Sequence, residues 1–565
     1  MDWFKKININ IFLLQIGLSI SLFLLYSGFN YEILYFENFS WFLKPSITND
    51  IETYWISWEF FRNTDYLQFP LLLNPSYGEG LNVSIYHTDA IPIAAFLFRF
   101  FSNVLPDNFQ YLGSWTLFSF FLMSFFSYKV LNLFIENKSV CFVSSIFFLI
   151  APPFMDRVFL QQAVSSHWLI LAAIYFYYSN NIEYRSWNLL LILSILINGY
   201  LAMIVFAVFT ANIYLLYFRA ETLNFFKKFF VSLILMSFVS YATGLFSIGK
   251  GIKEGGYDLY GMSIMGFLNP SSPTGFYSII FDKLFSPSVL FVKEVEGFAF
   301  LGTGVLLLVI LVLFKLRSKA SILLSSKIHL PIILVAILLF LYSLSNNIFI
   351  LGNVDFLGSE RIFTYNVPEF LEPVIKVFRA SGRFSWLLFY IIYIFLFVRF
   401  SEFFNTKRTL TILLALFLVQ VVDNYRIINI FKNELESTPI HSQALEKIKL
   451  RNPIWHIVGK EYKKVKIYPL VNKPKDYTRM AFFASTRGLS TNFGYFSRIN
   501  HTVKERLNDR MYKNLKDGVF PERTFYIIQD DLLWKTLLTT YNENSSSVFI
   551  GEIDGYKLLI PGLRK

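Results

Sequence analysis

Long apolar runs, separated by short polar loops, fill most of the first 424 residues of the chain. An apolar run of about 20 residues forms a helix long enough to cross the hydrocarbon core of a bilayer. The pattern therefore predicts a polytopic α-helical membrane protein with about eleven spans. We place these spans at residues 9–27, 110–134, 139–153, 160–178, 187–199, 201–218, 228–247, 298–315, 330–346, 385–400 and 409–424.

Two parts of this pattern leave alternatives open. The fifth and sixth runs are short and are separated only by an Asn-Gly-Tyr break, so they form either two short helices or one broken helix. The run 90–105 carries Pro92 and Arg99 and stops at Pro106. These residues suit a re-entrant or interfacial helix better than a membrane span.

Positive charge marks one side of the predicted membrane domain, because loops rich in lysine and arginine usually remain in the cytoplasm. If residues 90–105 do not cross, eleven spans place every basic flank on the cytoplasmic side. These flanks are Lys5 and Lys6, Arg219 with Lys227 and Lys228, the group Lys315, Arg317, Lys319 and Lys327, and Lys407 with Arg408. The segments 28–109, 248–297 and 347–384 are then extracytoplasmic, and so is the C-terminal region. The N-terminal run is interpreted as an uncleaved first span with a cytoplasmic N-terminus.

Residues 425–565 have the mixed pattern of a separate soluble domain. Strand-like runs lie at 464–470, 523–529 and 547–560, and helical patterns lie at 441–451 and 503–516. The pair Asp554-Gly555 in the last run is a strong hairpin signal. We therefore predict a membrane domain at 1–424 and an extracytoplasmic α/β domain at 425–565.

Composition excludes several classes of protein. Hydrophobic residues make up 55% of the chain and the mean hydropathy is +0.48, as expected for a membrane protein. The single cysteine, Cys141, lies in an apolar run, so no intrachain disulfide can form. The sequence has no phosphate-binding loop, serine-hydrolase elbow, HExxH or CxxC signature, which disfavours ATP-driven transport and zinc hydrolysis.

Positive charge is concentrated in the C-terminal region. The net charge is +12, and residues 425–565 hold 24 Lys and Arg against 14 Asp and Glu. Nucleic acid is a poor partner for a domain tethered to so many spans. A basic face toward anionic lipid head groups or phosphates is one interpretation, and lysine enrichment in a biased genome is the other.

Ionisable side chains cluster in the first extracytoplasmic segment: Asp50, Glu52, Glu59, Arg62, His87 and Asp89. Asp50, Tyr54 and Trp58 share one face of a predicted short helix at the membrane surface. A carboxylate here could act as a general base on an acceptor hydroxyl, or hold a divalent cation beside a phosphate. The alternatives are that the acids solvate a surface helix, and that Asp89 caps the helix that follows it.

The turn between the third and fourth spans supplies a second group of polar residues. Asp156 lies at the outer face, and Arg157 could pair with it or with a phosphate. His167 lies about two turns into the following span, where an ionisable side chain is costly unless it is used or hydrogen-bonded. Contact with substrate and a structural bond to a neighbouring helix are equally compatible with this position.

Arginines mark the third outer segment, which contains Arg361, Arg379 and Arg383. Arginine matches phosphate oxygens bidentately, and the last two arginines, four residues apart before a span, suit a lipid phosphate or pyrophosphate. Interfacial snorkelling is the alternative. Glu296 and the patch 257–270 are polar stretches beside spans that could line a sugar or lipid cavity.

Several motifs together resemble the GT-C class of integral-membrane glycosyltransferases, and within it a sparsely characterised bacterial subfamily. They are Asp50–Arg62, Pro75–Gly78, Tyr86–Pro92, His167–Leu171, Asn269-Pro270, Glu296–Gly302 and Arg379–Arg383. The resemblance covers nearly the whole membrane region and, more weakly, the C-terminal region. Each motif alone has little specificity, and their combination carries the resemblance.

Enzymes of this class take sugars from polyprenyl-phosphate carriers. The resemblance therefore implies an inverting transfer from such a donor to an extracytoplasmic glycan or lipid acceptor, in cell-envelope polysaccharide biosynthesis at the bacterial inner membrane. An acid in the first outer loop is the usual catalytic or metal-binding position of the class. Asp50 matches that position, with Glu52 as the alternate, and Asp156 or Asp89 as the assisting acid.

The resemblance leaves metal dependence open. A divalent cation such as Mg²⁺ or Mn²⁺, if one is needed, would bind Asp50 and Asp156. The first loop has no adjacent pair of acids, because Ile51 separates Asp50 from Glu52, and this departure speaks against a metal. The residues expected to bind substrate are Arg62, His87, Arg157, His167, Glu296, Arg361, Arg379 and Arg383.

Two other functions compete with the glycosyltransferase. A transporter or flippase of lipid-linked glycans would carry functional charges near the membrane midplane, with paired broken helices. Here the charges cluster at the outer edge, which favours an enzyme. The second is a non-catalytic assembly protein of the cell envelope, which only an activity measurement separates from the enzyme.

Overall fold

A bundle of apolar helices carries a C-terminal α/β domain in the computed structural model of this chain. The structure describes residues 9–42, 50–179, 182–218, 222–249, 251–252, 255–257, 259–270, 278–280, 296–316, 329–350, 361–436, 448–541 and 547–563. The predictions of a mostly helical N-terminal part and a C-terminal α/β domain are confirmed. The basic residues Lys5, Lys6 and Arg219, and the greater part of the flank 315–327, lie outside the described residues.

Sixteen described α-helices lie between residues 9 and 436, and every predicted span overlaps one of them. They are α1 (Ile9–Tyr26), α2 (Asp50–Phe61), α3 (Pro92–Arg99), α4 (Leu112–Leu131), α5 (Lys138–Leu149), α6 (Pro152–Met155), α7 (Trp168–Tyr178), α8 (Tyr184–Ile195), α9 (Gly199–Phe218), α10 (Thr222–Thr243), α11 (Thr303–Leu316), α12 (His329–Ser343), α13 (Glu372–Val377), α14 (Trp386–Ser401), α15 (Thr406–Asp423) and α16 (Tyr425–Glu436). The fifth and sixth predicted spans are two helices, α8 and α9, which residues 196–198 separate; Gly199 and Tyr200 of the predicted break begin α9.

Within the described part of the chain, three helical stretches are long and apolar enough to cross a membrane: Ile9–Tyr26, Thr222–Thr243 and Ser381–Ser401. A fourth would be the pair α15 and α16, which bends by 46° between the two helices. Other apolar helices are shorter. The 12 residues of α5 span roughly 18 Å at 1.5 Å per residue, less than the ~30 Å hydrocarbon core. The count of about eleven spans is not confirmed and stays a prediction.

Residues 90–105 contain only the short helix α3. Its eight residues extend roughly 12 Å, too little to cross a bilayer. The Arg99 guanidinium is buried against the Phe61 ring, 4.8 Å from its centroid, and donates a hydrogen bond to the Leu71 carbonyl at 3.0 Å. Arg99 thus ties the helix to residues 61 and 71 of the same segment, in agreement with a re-entrant or interfacial assignment.

Helix α2 forms where it was predicted, but it is buried instead of lying at a surface. Asp50 and Glu52 occupy its first turn, where negative charge is favourable at a helix N-terminus. Every residue from 51 to 61 is buried. The Trp58 indole donates to the Phe109 carbonyl on one side, and Thr53 bonds to Tyr477 of the C-terminal domain on the other. The solvated surface helix is therefore excluded.

The C-terminal domain combines a five-stranded mixed sheet with helices. An antiparallel pair, β1 (Asn347–Phe349) and β2 (Arg361–Thr364), precedes it in the third outer segment. The domain contains α17 (Ile454–Glu461), β3 (Lys464–Tyr468), α18 (Tyr477–Ser485), β4 (Ser490–Thr491), α19 (His501–Asp517), β5 (Thr524–Ile528), α20 (Asp531–Thr540), β6 (Val548–Ile553) and β7 (Tyr556–Pro561).

The strand order of this sheet is β4-β3-β5-β7-β6. Strand β3 pairs in parallel with β4 and β5, and β7 pairs antiparallel with β5 and β6. The predicted Asp554-Gly555 turn joins β6 to β7, with Ile553 opposite Tyr556. Most of the predicted helix 441–451 lies outside the described residues. The central strand β5 is buried along its whole length, as expected for a strand covered on both faces.

The first outer segment extends the edge of this sheet. The Thr491 N–H donates to the Ser76 carbonyl at 2.8 Å, and the Glu79 N–H donates to the Thr491 carbonyl at 2.6 Å. The Glu79 carboxylate also pairs with Lys464 on the neighbouring strand. Backbone hydrogen bonds at a sheet edge fix register as well as position. The C-terminal domain is therefore docked on the segment that carries α2.

Asp423, at the end of α15, holds the beginning of α11. Its carboxylate accepts hydrogen bonds from the Thr303 N–H at 3.1 Å and the Thr303 hydroxyl at 2.7 Å. It also accepts from the Ser278 hydroxyl and the Ile280 N–H. Asp423 is fully buried. One carboxylate thus satisfies backbone N–H groups of α11 and of the second outer segment.

We predict that Asp423→Ala lowers the thermal stability of the purified protein. The substitution leaves buried donors without an acceptor, which costs about 1–3 kcal/mol for each such group. The measurement is the unfolding midpoint in detergent, compared with Asp65→Ala at an exposed position of the first outer segment. Equal midpoints for the two variants would contradict this role for Asp423.

Candidate functional site

A cavity of about 810 Å³ opens where the segments 28–109, 248–297 and 347–384, which are predicted to be extracytoplasmic and are called the three outer segments here, meet the C-terminal domain. All four regions supply charged or aromatic side chains to its wall. The polar lining includes Asp50 and Asp89 from the first segment, Tyr260 and Glu296 from the second, Arg379 and Arg383 from the third, and Tyr495 and Arg498 from the C-terminal domain. The four regions predicted to share one side of the membrane therefore build one site.

Asp50 is the first residue of α2 and is half-buried at the cavity wall. Its Oδ2 atom accepts a hydrogen bond of 3.0 Å from the Gln161 side-chain amide. Burial raises the pKa of the Asp50 carboxyl, and the hydrogen bond from Gln161 opposes that rise. Asp50 therefore holds its proton more tightly than an exposed aspartate does.

Asp89 occupies the turn before α3, with a left-handed backbone (φ 49°) that aspartate adopts more readily than most residues. It does not cap α3, because Ile91 occupies the N-cap position and no side chain caps that helix. Burial raises the pKa of Asp89 to about 6, the Arg383 charge opposes the rise, and the Asp50 and Glu296 charges add to it. The negative charge of Asp50 therefore disfavours the ionised form of Asp89.

Glu296 and Arg383 form the central ion pair of the site. The Glu296 Oε2 atom accepts from Arg383 Nη2 at 2.6 Å and from Arg383 Nε at 3.1 Å. Burial alone would raise the pKa of Glu296, but Arg383 and Arg157 outweigh it and hold the pKa below its ordinary value. Glu296 is thus ionised and fixes the Arg383 guanidinium, which also lies over the Tyr200 ring.

The ion pair depends on two glycines, Gly297 and Gly382, which allow the backbones of the second and third outer segments to pack closely. A Cβ atom on Gly297 would lie 2.4 Å from the Gly382 Cα atom, and one on Gly382 would lie 2.7 Å from the Gly297 Cα atom. Gly297 directly follows Glu296, and Gly382 directly precedes Arg383. Any larger side chain would push the second and third outer segments apart.

Arg379 and Arg498 add positive charge from two different domains. The Arg379 guanidinium lies over the Tyr260 ring, 5.4 Å from its centroid, and donates to the Gly255 carbonyl at 3.2 Å. Arg498 donates to the carbonyls of Lys376 and Val377, each at 3.1 Å, at the end of α13. The C-terminal domain therefore completes the cavity wall as well as packing against it.

The remainder of the wall is apolar. Its side chains come mainly from α9, α10 and the segment around α13, and include Ala202, Met203, Leu233, Met236, Phe246, Ile248, Val374, Val377 and Phe378. Leu233 and Val377 are exposed apolar side chains in this wall. The cavity therefore offers charged groups and an apolar face to the same ligand.

Some residues predicted for the site lie outside this cavity. Glu52 is turned toward α18 and accepts a hydrogen bond from Thr478 at 2.9 Å. Arg62 donates to the carbonyls of Pro106 and Asp107, at 2.8 and 2.9 Å, and so holds the loop after α3. The side chain of Arg361 lies outside the described part of the chain.

Histidine and acid positions near the bundle core have structural contacts. His167 bonds to the Tyr390 hydroxyl at 2.8 Å and is fully buried away from the cavity, which agrees with the interhelical alternative. Asp156 is fully buried and pairs with Arg157, at 3.1 Å between Oδ2 and Nε. Arg157 in turn lies 3.9 Å from Glu296. Asp156 and Arg157 thus contact the site through other side chains.

His87 lines the cavity as a neutral side chain. Its Nδ1 atom accepts from the Ser84 N–H at 2.9 Å, so Nε2 carries the proton and faces the Leu245 carbonyl at 3.3 Å. Burial lowers the pKa of His87 to about 4. This histidine ties the first outer segment to the end of α10.

The described residues contain no group of three or more His, Cys, Asp or Glu side chains placed to hold a metal ion. Asp50 and Asp156, the predicted ligands, occupy different surroundings, since Asp50 lines the cavity and Asp156 does not. A metal requirement therefore stays a prediction.

Sequence reasoning missed several residues of the site. Gln161 bonds to Asp50 across 111 positions of the chain, and its only signal was a Gln-Gln pair in a mostly apolar stretch. Tyr200 was noted only as part of a helix break. Arg498 is one of the 24 basic residues after position 424, and nothing in its neighbourhood distinguishes it.

A family described as "Domain of unknown function (DUF6311)" matches residues 16–425, and its C-terminal domain matches residues 454–561. The chain is similar to the solved oligosaccharyltransferase of Archaeoglobus fulgidus in its apo form, with 8% identity and a TM-score of 0.45, over 100% of this chain and 75% of that one. It is also similar to the archaeal oligosaccharyltransferase AglB of that organism in complex with an inhibitory peptide and a dolichol-phosphate, with 9% identity and a TM-score of 0.43, over 99% of this chain and 75% of that one. No curated protein matches the sequence. Similarity this low leaves the functional interpretation to the site itself.

We predict that Gly297→Ala destabilises the protein by about 1–3 kcal/mol, the usual cost of forcing extra atoms into a packed site. The new methyl group meets the Gly382 backbone, which cannot rotate away. The measurement is the thermal unfolding midpoint in detergent. The matched control is Gly17→Ala in α1, where an added Cβ atom meets no other atom within 4 Å. A Gly297 variant as stable as this control would refute the close approach.

Proposed function

The chain belongs to the DUF6311 family, and from the architecture of its site we propose that it is a membrane glycosyltransferase. It would move a sugar from a polyprenyl-phosphate donor to an extracytoplasmic glycan or lipid acceptor. The observation that carries this proposal is a single cavity that combines two aspartates, three arginines and an apolar wall. A lipid-linked sugar phosphate has three chemical parts that these groups complement: a sugar, an anion and an apolar chain.

Recognition of the donor is assigned to the arginines and the apolar wall. Arg379 and Arg383 lie four residues apart in the third outer segment, and both line the cavity. Guanidinium groups bind phosphate oxygens through paired hydrogen bonds. Leu233 and Met236 line the cavity and belong to α10, a helix with many exposed apolar side chains. The lipid chain would lie along this helix.

Transfer requires a base for the acceptor and a site for the leaving phosphate. Asp50 is proposed to take the proton of the acceptor hydroxyl as its oxygen forms a bond to the anomeric carbon of the sugar. The bond from that carbon to the phosphate oxygen breaks, and polyprenyl phosphate leaves with the electron pair beside Arg379 and Arg383. Attack from the face opposite the phosphate inverts the anomeric centre.

The placement of charge favours an enzyme over a transporter. In the described cavity lining, Asp50 is the first residue of α2, Arg383 lies in the short 3-10 helix Ser381–Ser385 at the beginning of the apolar stretch Ser381–Ser401, and the other acidic and basic residues come from loops and turns. A transporter of lipid-linked glycans would need such groups along its spans near the midplane. The non-catalytic alternative is separated from the enzyme by the activity measurement below.

We predict that Asp50→Asn lowers the rate of transfer by about a hundredfold to ten-thousandfold, the usual contribution of a general base. The assay follows labelled sugar from a panel of polyprenyl-phosphate donors into acceptor. Asp65→Asn, in the same segment but exposed, is the control for expression and folding. Wild-type activity of the Asp50 variant would exclude it as the base, and no transfer from any donor by the wild-type protein would exclude the enzyme. If Glu52→Gln loses this much activity and Asp50→Asn does not, the role of general base belongs to Glu52.

The pH dependence of transfer offers a second prediction. Asp50 accepts a proton only when it is ionised, so kcat/KM is lost as pH falls through the pKa of Asp50. Because burial raises that pKa, the loss occurs at higher pH than for an exposed aspartate, whose pKa is about 4. The measurement is kcat/KM from mildly acidic to neutral pH. A profile that is flat down to about pH 4 would contradict an Asp50 base with a raised pKa.

A further inference from the structure

We propose that Gln161 is a positioning residue for Asp50, and that Arg157 fixes the direction in which the Gln161 amide points. This inference rests on the proposed glycosyl transfer, in which Asp50 takes the proton of the acceptor. The sequence predicted neither the contact of Gln161 with Asp50 nor its contact with Arg157.

The hydrogen bonds of Gln161 define its orientation. Arg157 Nη1 donates to the Gln161 Oε1 atom at 2.8 Å, and Gln161 Nε2 lies 3.0 Å from Asp50 Oδ2. A guanidinium can only donate, so the amide oxygen must face Arg157 and the NH₂ group must face Asp50. Gln161 is thus constrained to act as a donor toward the carboxylate. An amide free to rotate could present either end.

Arg157 is itself held on several sides. It pairs with the fully buried Asp156 at 3.1 Å and lies 3.9 Å from Glu296, which binds Arg383. Only 6% of Gln161 and 2% of Arg157 are exposed. A buried side chain with all its partners fixed has few alternative rotamers, so the position of Gln161 is well determined. Asp156, predicted as an assisting acid, would then act through Arg157.

The contact also determines which oxygen of Asp50 is engaged. Among the described residues, the Asp50 side chain makes one hydrogen bond, through Oδ2. Oδ1 is left for the acceptor hydroxyl at the cavity wall. A general base works only within hydrogen-bond distance of the proton it takes, so fixing one oxygen orients the other.

Two substitutions separate this role from a purely structural one. Gln161→Leu removes both hydrogen bonds at similar size. Gln161→Glu keeps an acceptor for Arg157 but replaces the donor toward Asp50 with a negative oxygen. If Gln161 serves only to satisfy Arg157, the Glu variant keeps wild-type activity. If Gln161 positions Asp50, both variants lose activity.

We predict that both variants lower kcat by about tenfold to a hundredfold, the range of a hydrogen bond to a charged group. KM for the polyprenyl-phosphate sugar should change less than about threefold, because Gln161 is not assigned to the donor. The measurements are kcat and KM in the labelled-sugar assay, with the unfolding midpoint as a check on folding. The matched control is Gln162→Leu, the neighbouring buried glutamine, which lies outside the cavity lining and is expected to stay within about twofold of wild type.

The outcomes distinguish this inference from the proposed function. Wild-type kcat in Gln161→Glu, or equal losses in Gln161→Leu and Gln162→Leu, would overturn the positioning role while an inactive Asp50→Asn variant still supports the base. A fully active Asp50→Asn variant would overturn both. The double variant of Asp50→Asn with Gln161→Leu should be no less active than Asp50→Asn alone, since Gln161 has no other route to the reaction. A further loss of tenfold or more would contradict the inference.

Discussion

The ion pair between Glu296 and Arg383 is the contact from which the rest of the site is arranged. Separating a buried carboxylate from a buried guanidinium is costly, so each must keep the other or find an equivalent partner. The pair also requires that Gly297 and Gly382 touch, which fixes how the second and third outer segments approach. Arg157 extends the same network toward Gln161 and Asp50. The positions of the proposed base and of the proposed phosphate-binding arginine are thus coupled.

Docking of the C-terminal domain is a second constraint on the cavity. Backbone hydrogen bonds between Thr491 and residues 76 and 79 extend the sheet into the first outer segment, and Thr53 in α2 bonds to Tyr477. Arg498 then donates to the carbonyl of Val377, the last residue of α13. The short 3-10 helix that contains Arg383 begins four residues later, at Ser381. Helix α2 is held between two domains, which explains why its acids are buried although they begin a polar loop. The cavity is therefore a product of domain assembly.

Local patterns along the chain account for the elements better than for the site. Apolar runs located every helix of the predicted spans, and Asp554-Gly555 located a hairpin, because both signals depend on near neighbours. The span count depends on lipid thickness and helix tilt, which the pattern does not contain. The resemblance favours Asp50 and leaves Glu52 as the alternate, because the sequence does not show which of the two side chains faces a cavity. Asp50 lines the cavity, whereas Glu52 faces α18. The bond from Gln161 to Asp50 spans 111 positions and leaves no local trace.

Charge balance in the cavity links donor binding to the state of the acids. Among the described lining residues, Asp50, Asp89 and Glu296 face Arg379, Arg383 and Arg498, so the fully ionised site is close to neutral. A phosphate adds negative charge, and one of the carboxyls must compensate for it. Glu296 resists protonation because Arg383 and Arg157 hold its pKa down, whereas burial has already raised the pKa of Asp89 to about 6. Asp89 is therefore a carboxyl that can take up a proton when an anion enters. The hydrogen bond from Gln161 opposes the rise that burial causes in the pKa of Asp50, and so favours the carboxylate form that the acceptor hydroxyl requires.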